Sequence, residues 1–487
     1  MGIVVTVGTA EAIGAKRGRT ESSRTKANTL SHRPAKMKLV AFLQAQNCSN
    51  YVGSWRHPAG QPDFLTAEYY QRIARTLENA CFDLAFFDDR LAMPEIYGSS
   101  ADLAVEHGIR SVKMDPTVPL MAMAMATTHL GLGATCSTTY SEPFHLARLF
   151  ATLDQMSGGR VAWNIVTSLN DSEAANFGRV DHFGHDERYD RADEFLEVVT
   201  RMWTSWEPDA LVMDKKTGRF ADPEKVHRTE HKGRYFHVSG TFPVPQSPQG
   251  HPVLLQAGMS GRGLEFAGAW ADVVFTAYKT KDSGVAQYRA IKQAVADAGR
   301  DPAEVAVTPA VGIIVAETPE LVAHKEQLLR GLARPQDGLA LLCEALNVDF
   351  SDRPLDKPFS DEELAGMSWQ SLRDRVISAS GRSNPTVADF VEFSGRGTLD
   401  EFATFTGTPE AVADQMEQWY GTCCDGFVVA ASSVPGTYED FARLVVPILQ
   451  KRGLVRTKYV GTTLRENLGL PRPSRRIETP ATVSAGR

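Results

Sequence analysis

The chain has 487 residues, 43% hydrophobic and 23% charged, with a formal net charge of −7 and a pI near 6.0. This usage is ordinary for a globular protein, and the length suffices to bury a large core without metal or disulfide staples. The acidic balance argues against a nucleic-acid or membrane-surface partner, and the six scattered cysteines, lacking any CxxC or Cys/His spacing, read as reduced core thiols of a cytoplasmic protein.

The first 36 residues stand apart. A short apolar run, Ile3 to Ala10, precedes Lys16, Arg17, Arg19, Arg24, Lys26, Arg33 and Lys36. A secretory leader carries its charge before the apolar run, so the order is wrong for one. Low apolar content with excess positive charge predicts a disordered tail over 1–36. From Met37 the chain alternates β-rich and helical runs. Strands are predicted at Met37–Leu43, Phe82–Phe87, Leu130–Thr135 and Val161–Thr167. Thr66 caps a helix in which Tyr69, Tyr70, Ile73, Leu77 and Cys81 recur at helical spacing. Asp115-Pro116 reads as an N-cap with Pro at the first helical position. Further helices are predicted over Pro143–Met156 and His185–Trp203.

Residues 204–250 break the rhythm with charges, Pro and Gly, and read as an excursion with room for a hairpin. Alternation resumes with strands Val253–Gln256, Val273–Ala277 and Val305–Ala316, and with helices Gly263–Trp270 and Ser283–Ala298. Residues 325–405 form a second anomaly, a lid-like insertion between late units. Thr408-Pro409 opens a late helix, Gly426–Ala430 is the last strand and Tyr438–Lys451 the last helix. Pro471–Arg487 reads as a disordered tail. About eight strand–helix units predict the α/β class and a (β/α)₈ TIM barrel over 37–470. The rival, an open doubly wound sheet, is weakened because no G-x-G-x-x-G follows the first strand.

Barrel sites lie where the strands end. Asp88-Asp89 follows the second strand, and it reads equally as a ligand-facing pair or a solvated loop pair. Cys136 to Tyr140 supplies hydroxyls after the third strand, which ordinary turn chemistry also explains. Asn164 places an amide within an apolar strand, where it needs a core partner or a ligand. Gln256 to Gly263, between strand and helix, looks like a phosphate cradle, with Ser260, Gly261 and Arg262 at a helix N-terminus. His185 to Asp190 opens another helix with His, Arg and Tyr that can hold a phosphate, or simply forms a charged first turn. Trp55 and His57 follow the first strand, where Trp and His can line a pocket. No G-x-S-x-G or H-E-x-x-H is present, and His182 and His185 lack a third metal ligand at a suggestive spacing. That fits an enzyme whose cofactor does the chemistry.

The runs Leu130-Gly-Leu-Gly-Ala-Thr135, Phe150 to Val161, Trp163 to Asn170, Ala174 to Gly178, His185 to Phe195 and Gln256 to Ser260 closely resemble the nitrilotriacetate / dibenzothiophene-sulfone monooxygenase family. The likeness runs from about Met37 to Leu470. It implies a bacterial-luciferase-like barrel, reduced FMN supplied by a separate NAD(P)H:flavin reductase, and O2 activation as a flavin C4a-peroxide. Carried over by motif, Asp89, Thr135, His185, Tyr189 and Ser260 match the family's flavin positions. Ser260 and Gly261 hold the phosphate in that reading, Asp89 and Thr135 meet the flavin's polar parts, and Asn164 joins them. His57 is the candidate catalytic residue. Phe42, Trp55, Phe87 and Val166 are the expected pocket walls, with the 325–405 insertion closing over them.

The resemblance also implies a homodimer or homotetramer. The expected substrate is a small organic xenobiotic, aromatic, either a sulfone or halogenated. The early barrel loops offer only Arg56 and Arg90 for a polyanion, which weighs against the family's aminopolycarboxylate branch. A deazaflavin-dependent oxidoreductase on the same barrel and a flavin-binding protein without turnover are the other readings; a generic barrel hydrolase lacks its nucleophile.

Overall fold

The computed structural model describes residues 36–178, 183–259 and 261–473. The predicted tails, except for Lys36 and 471–473, fall outside the described residues, as do His182 and Ser260. Eight parallel strands make the core: β1 (Lys38–Gln44), β2 (Leu84–Asp88), β3 (Gly131–Ser137), β4 (Val161–Val166), β5 (Val253–Gln256), β6 (Val273–Thr276), β7 (Ala306–Val315) and β8 (Gly426–Ala430). Each pairs with its sequence neighbour: Val40 opposes Leu84, Leu132 opposes Val161, Ala162 opposes Val253 and Ala310 opposes Val428. The ring closes where Lys38 meets Gly426, so the sheet is a barrel and the open doubly wound alternative is excluded.

Strands covered on both faces read as continuous apolar runs, and their side chains still alternate between the two faces. Val40, Phe42, Leu84, Phe86, Val253 and Leu255 fill the barrel interior. Leu39, Ala41, Leu43, Phe87, Leu132 and Trp163 face the outer helices. The glycines of β3 point inward because neighbours already occupy that space. A Cβ at Gly131 would lie 2.5 Å from Leu464 Cδ1, and one at Gly133 would lie 2.7 Å from Phe86 Cβ. Leu464 and Leu468, from the short helix Leu464–Leu468, plug the N-terminal end of the barrel.

The covering helices include α1 (Ala67–Asn79), α2 (Thr117–Ala124), α3 (Pro143–Met156), α4 (His185–Trp203), α5 (Gly261–Trp270), α6 (Lys281–Asp297) and α7 (Pro409–Trp419). Thr66 caps α1 by accepting the Tyr69 N–H at 3.4 Å. α2 starts after Pro116, one residue later than expected, and Asp115 Oδ1 accepts from Thr117 N at 2.9 Å and Thr117 Oγ1 at 2.6 Å. The last helix is not continuous: a π turn over Phe441–Val445 interrupts it.

The 204–250 excursion holds two antiparallel hairpins, Leu211–Asp214 with Arg219–Ala221 and Arg228–Lys232 with His237–Thr241. The insertion is helical, chiefly Pro335–Leu346, Gln370–Ser380 and Val387–Ser394, around its own cluster of Phe350, Phe359 and Phe390. Ile96 and Tyr97, from the connection after β2, pack into that cluster. Glu344 Oε1 ties it down, accepting from Glu95 N at 2.8 Å and Ile96 N at 2.9 Å. The insertion ends at Phe402 and a strand, Ala403–Gly407, that pairs with the far half of β7 outside the ring.

Candidate functional site

The alternation that puts Val40 and Phe42 inside also puts Gln44 inside, at the C-terminal mouth. The ladder sets Gln44 opposite Asp88 and Thr135 opposite Asn164, so one polar layer crosses β1 to β4 above the apolar interior. Asn164 Nδ2 donates to Thr135 Oγ1 at 2.8 Å, and Thr135 Oγ1 donates to the Phe87 carbonyl at 2.7 Å. Asn164 Oδ1 is buried without a partner, and so are both amide atoms of Gln44. Buried polar atoms are rarely left so, which makes this layer a candidate ligand contact. Beneath it lies an aromatic floor. The Phe42 ring is 5.1 Å from Phe86 and 5.4 Å from Phe275, and Phe402 covers it at 6.4 Å from Phe42 and 6.5 Å from Phe275.

Asp89 follows directly, half-buried, with Oδ1 accepting the Arg90 N–H at 2.8 Å. Burial pushes its carboxyl up to about 7; Asp88 and Asp115 push the same way, while Lys113 and the Arg90 N–H oppose. Lys113 Nζ sits 3.1 Å from Asp88 Oδ1 and 3.3 Å from Gln46 Oε1. The sequence reading missed Lys113, because only the fold brings residue 113 beside the ends of β1 and β2.

Across the mouth, α4 and α5 start side by side. Tyr189 is buried, its ring 5.3 Å from His185 and 5.5 Å from Phe266. A Cβ at Gly258 would lie 2.6 Å from Tyr189 Oη, so the backbone after β5 runs tight against that hydroxyl. Among the described residues, a Cβ at Gly261 would meet nothing within 4 Å. Gly261 is exposed, so the N-terminus of α5 opens to solvent, and a helix N-terminus favours an anion. Arg188, buried at the start of α4, has Nε without a partner. Arg262 is already committed: it ion-pairs with Asp190 at 3.1 Å and with Asp193, bracing α4 against α5, whereas the sequence reading has it add charge to the cradle. Ser260, the central residue of the predicted cradle, lies outside the described residues. Helix-terminal N–H groups and unpartnered amides are the residue chemistry that a phosphate-bearing, polar-edged cofactor requires.

A cavity of about 360 Å³ adjoins the tip of β1, with Gln44, Phe64, Tyr69, Tyr70 and Trp55 among its walls. Of the four expected pocket residues only Trp55 lines it. Phe42 lies in the barrel floor, and Phe87 points outward to the helices, 5.8 Å from the Tyr70 ring. The cavity walls include Ser54 and Gly60 but not His57. His57 is half-buried, its Nδ1 accepts the Ala59 N–H at 3.1 Å, and burial with nearby Lys325 lowers its pKa.

The luciferase-like monooxygenase family matches residues 37–426. Dibenzothiophene-sulfone monooxygenase of Rhodococcus erythropolis is 44% identical over 443 residues, covering 90% of this chain and 97% of its own. Nitrilotriacetate monooxygenase component A of Aminobacter aminovorans is 39% identical over 438 residues, covering 88% and 96%. Among solved structures, riboflavin lyase with modified FMN and its substrate riboflavin superposes with a TM-score of 0.82 at 32% identity, covering 90% of this chain and 96% of that one.

Proposed function

Because this chain belongs to the luciferase-like monooxygenase family, we propose that it oxygenates a small aromatic compound with O2 and reduced FMN. A separate NAD(P)H:flavin reductase supplies the flavin, a reading favoured by the relative named as component A of its system. The observation that carries the proposal is the unpartnered buried amide of Asn164 in the polar layer at the barrel mouth, with the exposed start of α5 at Gly261 beside Tyr189 as the place for the phosphate. When bound, reduced flavin supplies the two electrons that let one oxygen atom enter the substrate while the other leaves as water.

The chain's own share is binding, orientation and dryness. The N-terminus of α5 at Gly261, with Ser260, Tyr189 and His185, holds the phosphate. Asp89, Thr135 and Asn164 meet the ring's polar edge. Asn164 Oδ1 is free to accept, and Asp89 keeps a proton up to about pH 7 with Oδ2 left to present it. The floor of Phe42, Phe86, Phe275 and Phe402 keeps water from beneath the reacting centre. The proton at the site is assigned to Asp89, which follows the polar layer at the end of β2 and has its carboxyl pushed up to about 7; His57 Nδ1 is taken by the Ala59 N–H. The cavity walls carry Glu106 and no Lys or Arg, which disfavours the aminopolycarboxylate branch.

Anaerobic fluorescence titration with reduced FMN, followed by mixing with oxygenated buffer, tests this reading. Saturable binding, with slower reoxidation and less released peroxide than free flavin, is expected. Absence of binding would sink the proposal. Binding with peroxide released at the free-flavin rate would favour flavin storage or hydride transfer.

A further inference from the structure

We propose that Arg188 supplies the positive charge that makes the barrel mouth prefer reduced flavin over oxidised flavin, by facing the negative charge that reduction leaves on the ring. This rests on the monooxygenase reading for its ligand and adds the residue that selects the redox state.

The start of α4 presents two faces. His185 and Tyr189, four residues apart, share the face toward α5, where the Tyr189 ring lies 5.5 Å from Phe266. Arg188 and Arg191, three residues apart, share another, toward the end of β3. Arg191 Nη1 donates to the carbonyl of Thr138, the residue after β3, and the Thr138 N–H donates to the Val166 carbonyl of β4 at 2.9 Å. Arg188 lies one turn nearer the helix start on that face. Besides adjacent Tyr189, its electrostatic neighbours are Tyr140, Asp171 and Glu173, all from the connections after β3 and β4. It therefore stands on the side of the mouth where Thr135 and Asn164 form the polar layer.

Arg188 is 9% exposed, and among the described residues no side-chain hydrogen bond or ion pair engages its guanidinium. Nε is sealed from water, whereas Nη1 and Nη2 remain accessible. Burial works against its charge, and neither Asp171 nor Glu173 comes within ion-pair distance. Glu173 is engaged elsewhere, with Oε1 accepting the Leu91 N–H at 2.9 Å. Two other cations beside the polar layer already have partners: Lys113 meets Asp88 at 3.1 Å, and Arg90 Nη2 donates to Asn170 Oδ1 at 2.7 Å. A buried guanidinium without a partner is costly unless an anion completes it.

Reduction creates that anion. On the reductase, the C4–H bond of NAD(P)H breaks and its hydride, two electrons and one proton, forms an N–H bond at flavin N5. NAD(P)+ leaves, and one negative charge remains over N1 and the adjoining carbonyl of the ring. The oxidised ring is neutral, while the phosphate is charged in both forms. A cation at the ring therefore separates the two redox states, and a cation at the phosphate does not.

The test is anaerobic titration of the full-length protein with oxidised and reduced FMN, and with both forms of riboflavin, which has no phosphate. Arg188→Met should weaken the reduced forms about tenfold or more and the oxidised forms by less than about twofold. Tenfold in that ratio is a fall of about 30 mV in the two-electron potential of the bound flavin, which spectroelectrochemical titration reads independently. Arg188→Lys should restore most of the preference. The melting temperature of Arg188→Met should hold or rise, because an unpaired buried charge is gone. Equal weakening of both forms of FMN, with riboflavin untouched, would put Arg188 at the phosphate and overturn the inference, and unchanged affinity for every flavin would overturn it too. Either result, with the wild type still slowing reoxidation of reduced FMN, defeats this inference alone. Redox-selective loss alongside peroxide released at the free-flavin rate upholds it and defeats the monooxygenase reading alone. A wild type that binds no flavin overturns both.

Discussion

Replacing Asp89 with asparagine keeps the side chain's shape and removes its charge. In the folded protein burial raises the carboxyl from 3.8 to about 7, with Asp88 and Asp115 adding to the rise and Lys113 opposing it. A raised acid favours folding while it is protonated. No penalty exists below the unfolded value, a penalty grows as pH rises from about 4 to about 7, and it is complete above that. The full rise corresponds to about 4 kcal/mol as an upper bound. Because the group is only half-buried, solvent screening reduces this to about 1–2 kcal/mol. Asp89→Asn carries no such penalty at any pH. Urea unfolding of both proteins at about pH 4.5 and about pH 8.5 should therefore show the variant gaining about 1–2 kcal/mol relative to wild type at the higher pH. An unchanged difference between the two pH values would refute the raised pKa, and with it the assignment of the site's proton to Asp89.

Gly261→Asp should fold normally, since its Cβ enters open space, yet lower reduced-FMN affinity about tenfold or more by placing a carboxylate where the phosphate is proposed to sit, at the N-terminus of α5; an unchanged dissociation constant would remove the phosphate from that position. Phe402→Ala opens the aromatic floor and should cost about 2 kcal/mol of stability. It should also raise the hydrogen peroxide released per flavin oxidised, as water reaches the site. Arg456→Met leaves Asp83, 1% exposed, without its guanidinium partner at the N-terminal end of the barrel, far from the mouth, holding only the Leu39 N–H and nearby Lys38. A loss of about 3–5 kcal/mol by urea unfolding, with FMN affinity unaltered, is expected.

The repeating units were legible in the residues because a strand covered on both faces must be apolar, and because capped helices announce their starts. β5 and β8 fall where the pattern puts them, and Thr66 caps α1 as its spacing to Tyr69 suggests. The direction of side chains was harder. Phe87 was expected in the pocket and faces the helices, because one step along a strand reverses the face. Gln44, between apolar Leu43 and Ala45, gave no local signal, and its significance depends on the absence of any partner once the barrel closes.

The sequence by itself determined the alternation, hence the barrel, and the two motifs at the starts of α4 and α5, because local periodicity and helix-terminus chemistry are written within a few residues. Only the tertiary structure decided the rest. It paired Arg262 with Asp190 and Asp193, and it brought Lys113 to Asp88. It lowered Phe402 onto Phe42, and it left both amide atoms of Gln44 unpartnered. These depend on contacts between residues far apart in the chain, and electrostatic pairing, desolvation and packing act through space, where sequence spacing carries no information.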